Sequence, residues 1–222
     1  MRHDVRRGGN PENMAGRADR ERAAMVERLR RRGISDERVL DAMRQVPRER
    51  FVPRDVAGAA YQDNPLPIGL GQTISAPLIV ALSAAAMQAG PDAHVLEIGT
   101  GSGYGAAVLS RCHRSVVTIE RHPELADRAR RALEALGYDN VEVRTGDGAL
   151  GAPERAPFDG IVVTAMAEDE PPPALLDQLA QDAALVCPVG HHGSGTLTRF
   201  RGGRAEDLGA VAFVPLVTGG AT

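Results

Sequence analysis

Apolar residues recur at helical spacing near the start of the chain and in short β-branched runs further on, and this change of period divides the sequence. "ERAAMVERLRRRG" reads as a helix beginning near Arg22 and ending at Gly33, the residue type that closes a helix in the left-handed conformation. A second helix is predicted with Ser35 as N-cap and with Asp36 and Glu37 in its first turn. It carries Val39, Leu40, Met43 and Val46 on one face and stops at Pro47. The stretch "FVPRDVAGAAYQDNPLPIGLGQTIS" follows neither period and predicts an irregular segment. Ser75 closes it, just ahead of the apolar run "LIVALSAAAM", where a hydroxyl can cap the helix by accepting from a first-turn N–H. Whether Ser75 is only a cap or also carries function is open at this point.

From His94 onward, strands alternate with helices: "HVLEIG", "SVVTIE", "VEVRTG", "DGIVVTAM" and "AALVCPVG" as strands, with "YGAAVLSRC", "PELADRARRALEALG" and "PALLDQLA" as helices among them. Strands separated by helices of this length imply βαβ units and a parallel sheet. The tail differs. "TLTRF" and "AVAFVPLV" flank "RGGR" with no helix between, which predicts an antiparallel pair at one edge. The expected architecture is α/β, a doubly wound and mostly parallel seven-stranded sheet with an antiparallel C-terminal pair and an N-terminal helical segment. Residues 1–21, polar and rich in Arg and Gly, read as a mobile arm. Residues 22–222 read as one domain, with a helical segment over 22–90 and the sheet over 91–222.

Composition narrows the partners. All 26 basic residues are Arg against 29 acids, and the net charge of −3 provides no electrostatic case for nucleic acid. Without Lys, lysine-based chemistry is excluded. Cys112 and Cys187 form no CxxC pair and suggest a reduced, cytoplasmic protein, although spacing alone leaves a disulfide between them open. No apolar run reaches membrane-spanning length, so no membrane partner is expected. Arg6-Arg7 is followed by Gly, Asn, Pro and Glu instead of an apolar stretch, which argues against export.

The chemistry concentrates in "VLEIGTGSGYG". Gly99, Gly101 and Gly103 close the first strand and open a helix, where backbone can approach a ligand at the carboxyl end of the sheet. A dinucleotide-binding GxGxxG competes, but counting from Gly99 the sixth position is Tyr104, and counting from Gly101 it is Ala106. Three acids narrow the ligand. Glu120 ends the second strand, where a carboxylate accepts from ribose hydroxyls, and Asp147 in "TGDG" ends the third, where it could accept from an exocyclic amino group. Glu97, ahead of the loop, suits a ligand with a cationic portion rather than a pyrophosphate. S-adenosylmethionine, with its sulfonium and ammonium, has one.

"LEIGTGSGY" with Glu120 and "GDG" resembles the class I S-adenosylmethionine-dependent methyltransferases. Its flanks, "RVLDAMRQVPRERFVP", "YQDNPLPIGLGQTISAP", "PFDGIVVTA", "CPVG" and "FVPLV", resemble protein-L-isoaspartate O-methyltransferases, in that family's order from Arg22 to Val217. The resemblance implies a Rossmann-like methyltransferase fold and a monomer. It also implies methyl transfer from S-adenosylmethionine, with S-adenosylhomocysteine as product and no metal, to isoaspartyl carboxylates in damaged proteins or peptides. By the same resemblance, Gly99, Gly101 and Gly103 hold the methionine part, Glu120 the ribose, and Asp147 and Gly148 the adenine, with Glu97, Thr100 and Arg121 also at the cofactor. Ser75 is the implied catalytic residue. Thr73, Ile74 and Ser75, with Phe213, Val214, Pro215 and Leu216, are implied at the substrate peptide. An alternative in the same chemistry is a tailoring methyltransferase for an aspartate of one dedicated partner peptide.

The chain departs from the family pattern at four places. Gly105 stands where Gln is common, Met166 where a small residue is usual, Asp182-Ala183 where a Gly-Gly turn is common, and Ala212 where many members have Arg. Gly105 and the turn are expected to be neutral, whereas Met166 and Ala212 are expected beside the peptide. No Ser-His-Asp constellation or metal-ligand spacing is present in the sequence. His191-His192 read as part of a flexible loop, and His94, His113 and His122 flank strands. A carboxylate with a pKa of about 4 needs no base at neutral pH, so this poverty is compatible with carboxyl methylation.

Overall fold

The computed structural model describes residues 11–219, with side chains from residue 16. Its first element corrects the expected mobile arm. Helix α1 runs over Pro11–Arg31, so the helix begins well before Arg22. Short-range ion pairs, Arg17 with Glu21 and Arg22 with Asp19, support its first half, and Ala18 packs against the core. The remainder of the expected arm, residues 1–10 with Arg6-Arg7, lies outside the described residues.

Helix α2 spans Glu37–Gln45. Its N-cap is Asp36, whose carboxylate accepts from Arg38 N, instead of the expected Ser35. The region read as irregular holds two 3-10 turns, Arg48–Phe51 and Ala57–Ala59, and a hairpin of β1 (Leu66–Gly69) and β2 (Gln72–Ile74). Leu70 at the hairpin tip sits at φ +53 beside Gly71 at φ +70, a conformation that a bulky residue rarely adopts. Helix α3 (Pro77–Met87) follows, with Pro at its first turn.

The sheet is built from β3 (His94–Ile98), β4 (Ser115–Glu120), β5 (Val141–Thr145), β6 (Phe158–Val163), β7 (Leu179–His191), β8 (Ser194–Arg201) and β9 (Arg204–Ala212). The strand order is β5-β4-β3-β6-β7-β8-β9; β3 to β7 are parallel, and β8 and β9 continue antiparallel. The last strand begins six residues ahead of "AVAFVPLV" and ends at Ala212, because "RGGR" narrows to a two-residue turn at Gly202-Gly203 and "FVPLV" leaves the strand. His192 and Gly193 likewise form the tight turn of the β7–β8 hairpin, both at positive φ, where a flexible loop was expected. Asp182 takes φ +61 inside β7, where pairing with β6 shifts register, so it replaces Gly at a left-handed bulge rather than in a turn.

Helices α4 (Tyr104–Cys112) and α5 (Pro123–Ala135) connect β3, β4 and β5, while the expected helix after β6 shrinks to α6, Pro173–Leu176. Alternation assigns the two faces. Val95, Val116, Val162 and Val186 pack with α1 to α5, whereas Leu96, Val117, Ile161 and Leu185 pack beneath Leu175 of α6 and the turn around Ala152. Cys112 belongs to the first cluster and Cys187 to the second, so the sheet separates the two free thiols and no disulfide joins them. Strand order reverses between β3 and β6, whose carboxyl ends therefore open a crevice.

Candidate active site

Two adjoining cavities occupy that crevice, and Thr164, just past β6, lines both. Its hydroxyl donates to Ile98 O at 3.0 Å and to Gly99 O at 2.8 Å, tying the end of β6 to the start of the glycine loop. A Cβ on Gly99, at φ +95, would fall 2.3 Å from Thr164 Oγ1, so this glycine is required twice over.

The first cavity has the polar groups expected of a nucleoside site. Glu120 accepts from Gly101 N at 2.8 Å through Oε2 and from His122 N at 3.0 Å through Oε1. Asp147 does not itself line this cavity, although its neighbour Gly148 does; it accepts from Ala149 N at 2.9 Å and, on its other oxygen, from Gly219 N at 2.7 Å. An ionised carboxylate offers about four acceptor positions, so each acid retains capacity for a ligand. Arg121 lines the same cavity, and its buried Nη1 has no hydrogen-bond partner. Ile98 and Ile119 supply apolar walls, and Gly148 and Thr73 lie at the rim. The hairpin covers the loop: Arg128 Nη1 holds Ile68 O at 2.9 Å, and Ile68 reaches over Gly101. A strand-end acid, an orphaned buried donor and glycines at the two loop positions that line the cavity, Gly99 and Gly101, together fit an adenosine-bearing group.

The second cavity contains Ser75, Ser83, Gly105, Phe213 and, at its base, Glu97. Here several expected placements change. Glu97 lies on the Ser75 side and not in the glycine-loop cavity; it is 1% exposed and accepts from Thr118 Oγ1 at 2.6 Å. Burial pushes its pKa up to about 8, with Glu120 adding to the rise and the Thr118 bond opposing it. Conversely, Val214, Pro215 and Leu216 line the first cavity, while Phe213 alone of that segment lines the second. Thr100 is buried beneath the loop, sharing a 2.7 Å bond with Thr118, and Gly103 packs at φ +89 against Ala129 and Leu133. Ile74 is a core residue at 4% exposure. Each of these three shapes the loop or hairpin from behind, because the pleat and the helix turn direct it inward.

Ser75 is not a helix cap. Ala76 occupies that position, Pro77 has no N–H, and Asp63 Oδ1 takes Leu78 N at 3.0 Å. A carboxylate from the loop before β1 therefore does the capping that sequence assigned to Ser75, whose hydroxyl lines the second cavity instead. Gly105 is not neutral either: a Cβ there would lie 2.2 Å from Glu97 Oε1. Met166 is 3% exposed and pins the tail, donating to Val214 O and accepting from Leu216 N, both at 2.7 Å, so it does not present its side chain to a peptide. Ala212 ends β9 on the surface.

Sequence reasoning did not single out Thr164, His122, Gln72 or Arg48. Thr164 could have been found as a hydroxyl residue ending a strand beside the switch point. Arg48 could not, because its partners are backbone carbonyls. The histidines have structural roles: His94 Nδ1 shares a 2.7 Å bond with Ser115, and His113 Nδ1 meets Gly90 O at 2.9 Å. No group of metal-ligating side chains exists among the described residues.

Comparison with known proteins agrees with this geometry. The family model for protein-L-isoaspartate(D-aspartate) O-methyltransferase matches residues 20–221. A protein-L-isoaspartate O-methyltransferase of Methanoculleus marisnigri is 51% identical over 203 residues, covering 89% of this chain and 92% of its own. One from Gloeobacter violaceus is 53% identical over 195 residues, 86% of this chain and 95% of its own. Among solved structures, one from Plasmodium falciparum described as a protein-L-isoaspartate O-methyltransferase in complex with S-adenosyl-L-homocysteine superposes with a TM-score of 0.75. It is 27% identical and covers 88% of this chain and 98% of its own. With its glycine loop, strand-end acids and Ser75-bearing hairpin in that family's arrangement, this chain belongs to the protein-L-isoaspartate O-methyltransferase family.

Proposed function

We propose that the first cavity holds S-adenosylmethionine and that the second receives the carboxylate of an isoaspartyl residue, which is methylated where the two meet at Thr164. The observation that carries this reading is the pairing itself: a ribose acceptor, Glu120, on one side of Thr164 and Ser75 on the other. Glu120 and Arg121 face the ribose, and Asp147 and Gly148 the adenine. When bound, the cofactor supplies an electrophilic methyl group on a sulfonium with a neutral leaving group.

The chain's own residues then orient and exclude. The substrate carboxylate is ionised at neutral pH, so no residue need remove a proton. Ser75 donates to one carboxylate oxygen and leaves the other facing the methyl group. Ile79, Val80 and Phe213 give the second cavity apolar walls that keep water from the nucleophile. Intramolecular reactions show that such placement can be worth on the order of 7–11 kcal/mol. Two buried, unpaired thiols suit a reducing compartment, so the reading is of a cytoplasmic enzyme.

The test is labelled methyl transfer to an isoaspartyl peptide, with its normal-aspartyl twin as control. Ser75→Ala is expected to lower turnover more than tenfold while cofactor affinity, followed by calorimetry, stays unchanged. Wild-type turnover in that variant removes Ser75 from the mechanism, and equal labelling of the two peptides removes the isoaspartyl assignment.

A further inference from the structure

Arg48 is the largest fully buried side chain in the protein, at 0% exposure, and nothing above uses it. It starts the 3-10 turn Arg48–Phe51 and extends into the interior behind the Ser75 cavity. One guanidinium nitrogen donates to Ala60 O; the other donates to Ser75 O at 2.9 Å and to Asn64 O at 3.4 Å. The guanidinium carbon lies 5.6 Å from the centroid of the Tyr104 ring, and Tyr104 is the first residue of α4, directly after the glycine loop. Four otherwise separate pieces of chain thus meet at one planar group: the turn after α2, the loop before β1, the residue at Ser75 and the helix that begins at the cofactor loop.

Two features set this apart from ordinary packing. The first is chemistry: a buried cation is normally matched by a carboxylate, yet no described acid forms an ion pair with Arg48, and its Nε has no hydrogen-bond partner. Carbonyl dipoles and an aromatic face are its direct contacts, and Asp63 offsets its charge only through space, without an ion pair. Burial lowers its pKa, but an arginine in a protein keeps its proton. The second is position. Because Arg48 holds the carbonyl of Ser75, the orientation of that peptide, and with it the direction of the side chain, is set from behind. The α3 N-terminus offers an anion little here, since Pro77 has no N–H and Asp63 holds that of Leu78.

We propose that Arg48 is a positioning residue for methyl transfer, clamping the Ser75 backbone to the glycine-loop helix while holding a positive charge, free of any direct ion pair, behind the substrate carboxylate. This rests on the reading of Ser75 given above. The clamp acts on geometry and so on kcat. The charge acts on carboxylate affinity and so on KM. Lysine keeps the charge and most of the stem but cannot reach three carbonyls across a fork, whereas glutamine keeps two donors and loses the charge.

The experiment uses Arg48→Lys and Arg48→Gln, with binding-competent molecules counted by S-adenosylhomocysteine titration so that turnover is expressed per folded enzyme. Arg48→Lys is expected to lose at least tenfold in kcat, with S-adenosylhomocysteine affinity within twofold of wild type and KM for an isoaspartyl peptide within threefold. Arg48→Gln is expected to add a rise in KM of tenfold or more. Wild-type kcat in Arg48→Lys overturns the clamp, and equal KM in the two variants overturns the charge. Loss of S-adenosylhomocysteine binding in both makes Arg48 a folding residue and overturns the proposal entirely. Ser75→Ala at wild-type rate would instead remove the underlying reading, so the two failures are told apart.

Discussion

The two sides of the cleft are made in different ways. On the cofactor side, acids and glycines sit at the ends of regular strands, and their partners follow from the register: Glu120 meets Gly101 because β3 and β4 run parallel and in step. On the substrate side no regular element spans the distance. Ser75 is placed by a three-residue strand, by a carboxylate that caps the next helix and by Arg48 gripping three carbonyls, one of them its own. A site built on strand ends tolerates change away from its glycines and acids. One built on cross-links depends on single side chains far from the chemistry.

Substitutions on both sides sharpen that contrast, and the largest effect is expected at Gly99. Gly99→Ala combines positive-φ strain with the clash against Thr164 Oγ1 and should cost about 3 kcal/mol in urea unfolding. Adding Thr164→Ala should recover roughly half of that, since it relieves the clash but not the strain. A fully additive double variant would show that the two residues do not meet. Glu97 ranks next. Its carboxyl stays protonated in the folded protein up to about pH 8 but ionises near 4.5 when unfolded, so the folded state binds more protons across that window. Stability attributable to Glu97 therefore falls as pH rises from about 4.5 to 8. Glu97→Gln should match wild type near pH 4.5 and become progressively more stable than it as pH rises toward 8. Parallel stability curves for the two proteins would refute a neutral buried acid.

Two aspartates with the same local habit close the series. Each accepts a backbone N–H at the start of a turn or helix, one on either side of the cleft. Asp147→Ala should weaken S-adenosylhomocysteine binding by about 1–3 kcal/mol in calorimetry, because a ligand donor is left without an acceptor. Asp63→Ala should cost about 1 kcal/mol of stability as a lost cap and should reduce turnover without altering that affinity. If Asp63→Ala weakened cofactor binding as much as Asp147→Ala, the division between the two sides would not hold.

The cofactor side was legible because its signals are local. A strand's period, a glycine where Cβ would clash and an acid at a strand end all leave a mark in residue type, and β3 to β6 with helices α4 and α5 lie where the pattern put them. The substrate side left weaker marks. β1 and β2 are too short to show alternation, and the Ser75 cap was a fair inference from residue type that lost to Asp63, a carboxylate 15 residues upstream of Leu78. Ile74 and Thr100 sit in the right segments but face inward, since a motif gives an address and not a direction. Gly105 looked neutral until the Glu97 carboxyl was found in the space its side chain would need.

By itself, then, the sequence determined the sheet, its antiparallel edge, the glycine loop with Glu120 and Asp147 beside it, and the family. The sheet, its edge and the loop with its acids follow from periodicity and residue chemistry within single elements, whereas the family came from the resemblance of whole motifs in order along the chain. Only the tertiary structure decided which side of Thr164 each residue serves, moving Glu97 toward Ser75 and Val214 to Leu216 toward the cofactor cavity. It alone disclosed Arg48. A guanidinium that binds backbone carbonyls has partners that every residue possesses, so no residue type announces them, and only the folded chain brings Ala60, Asn64 and Ser75 within its reach.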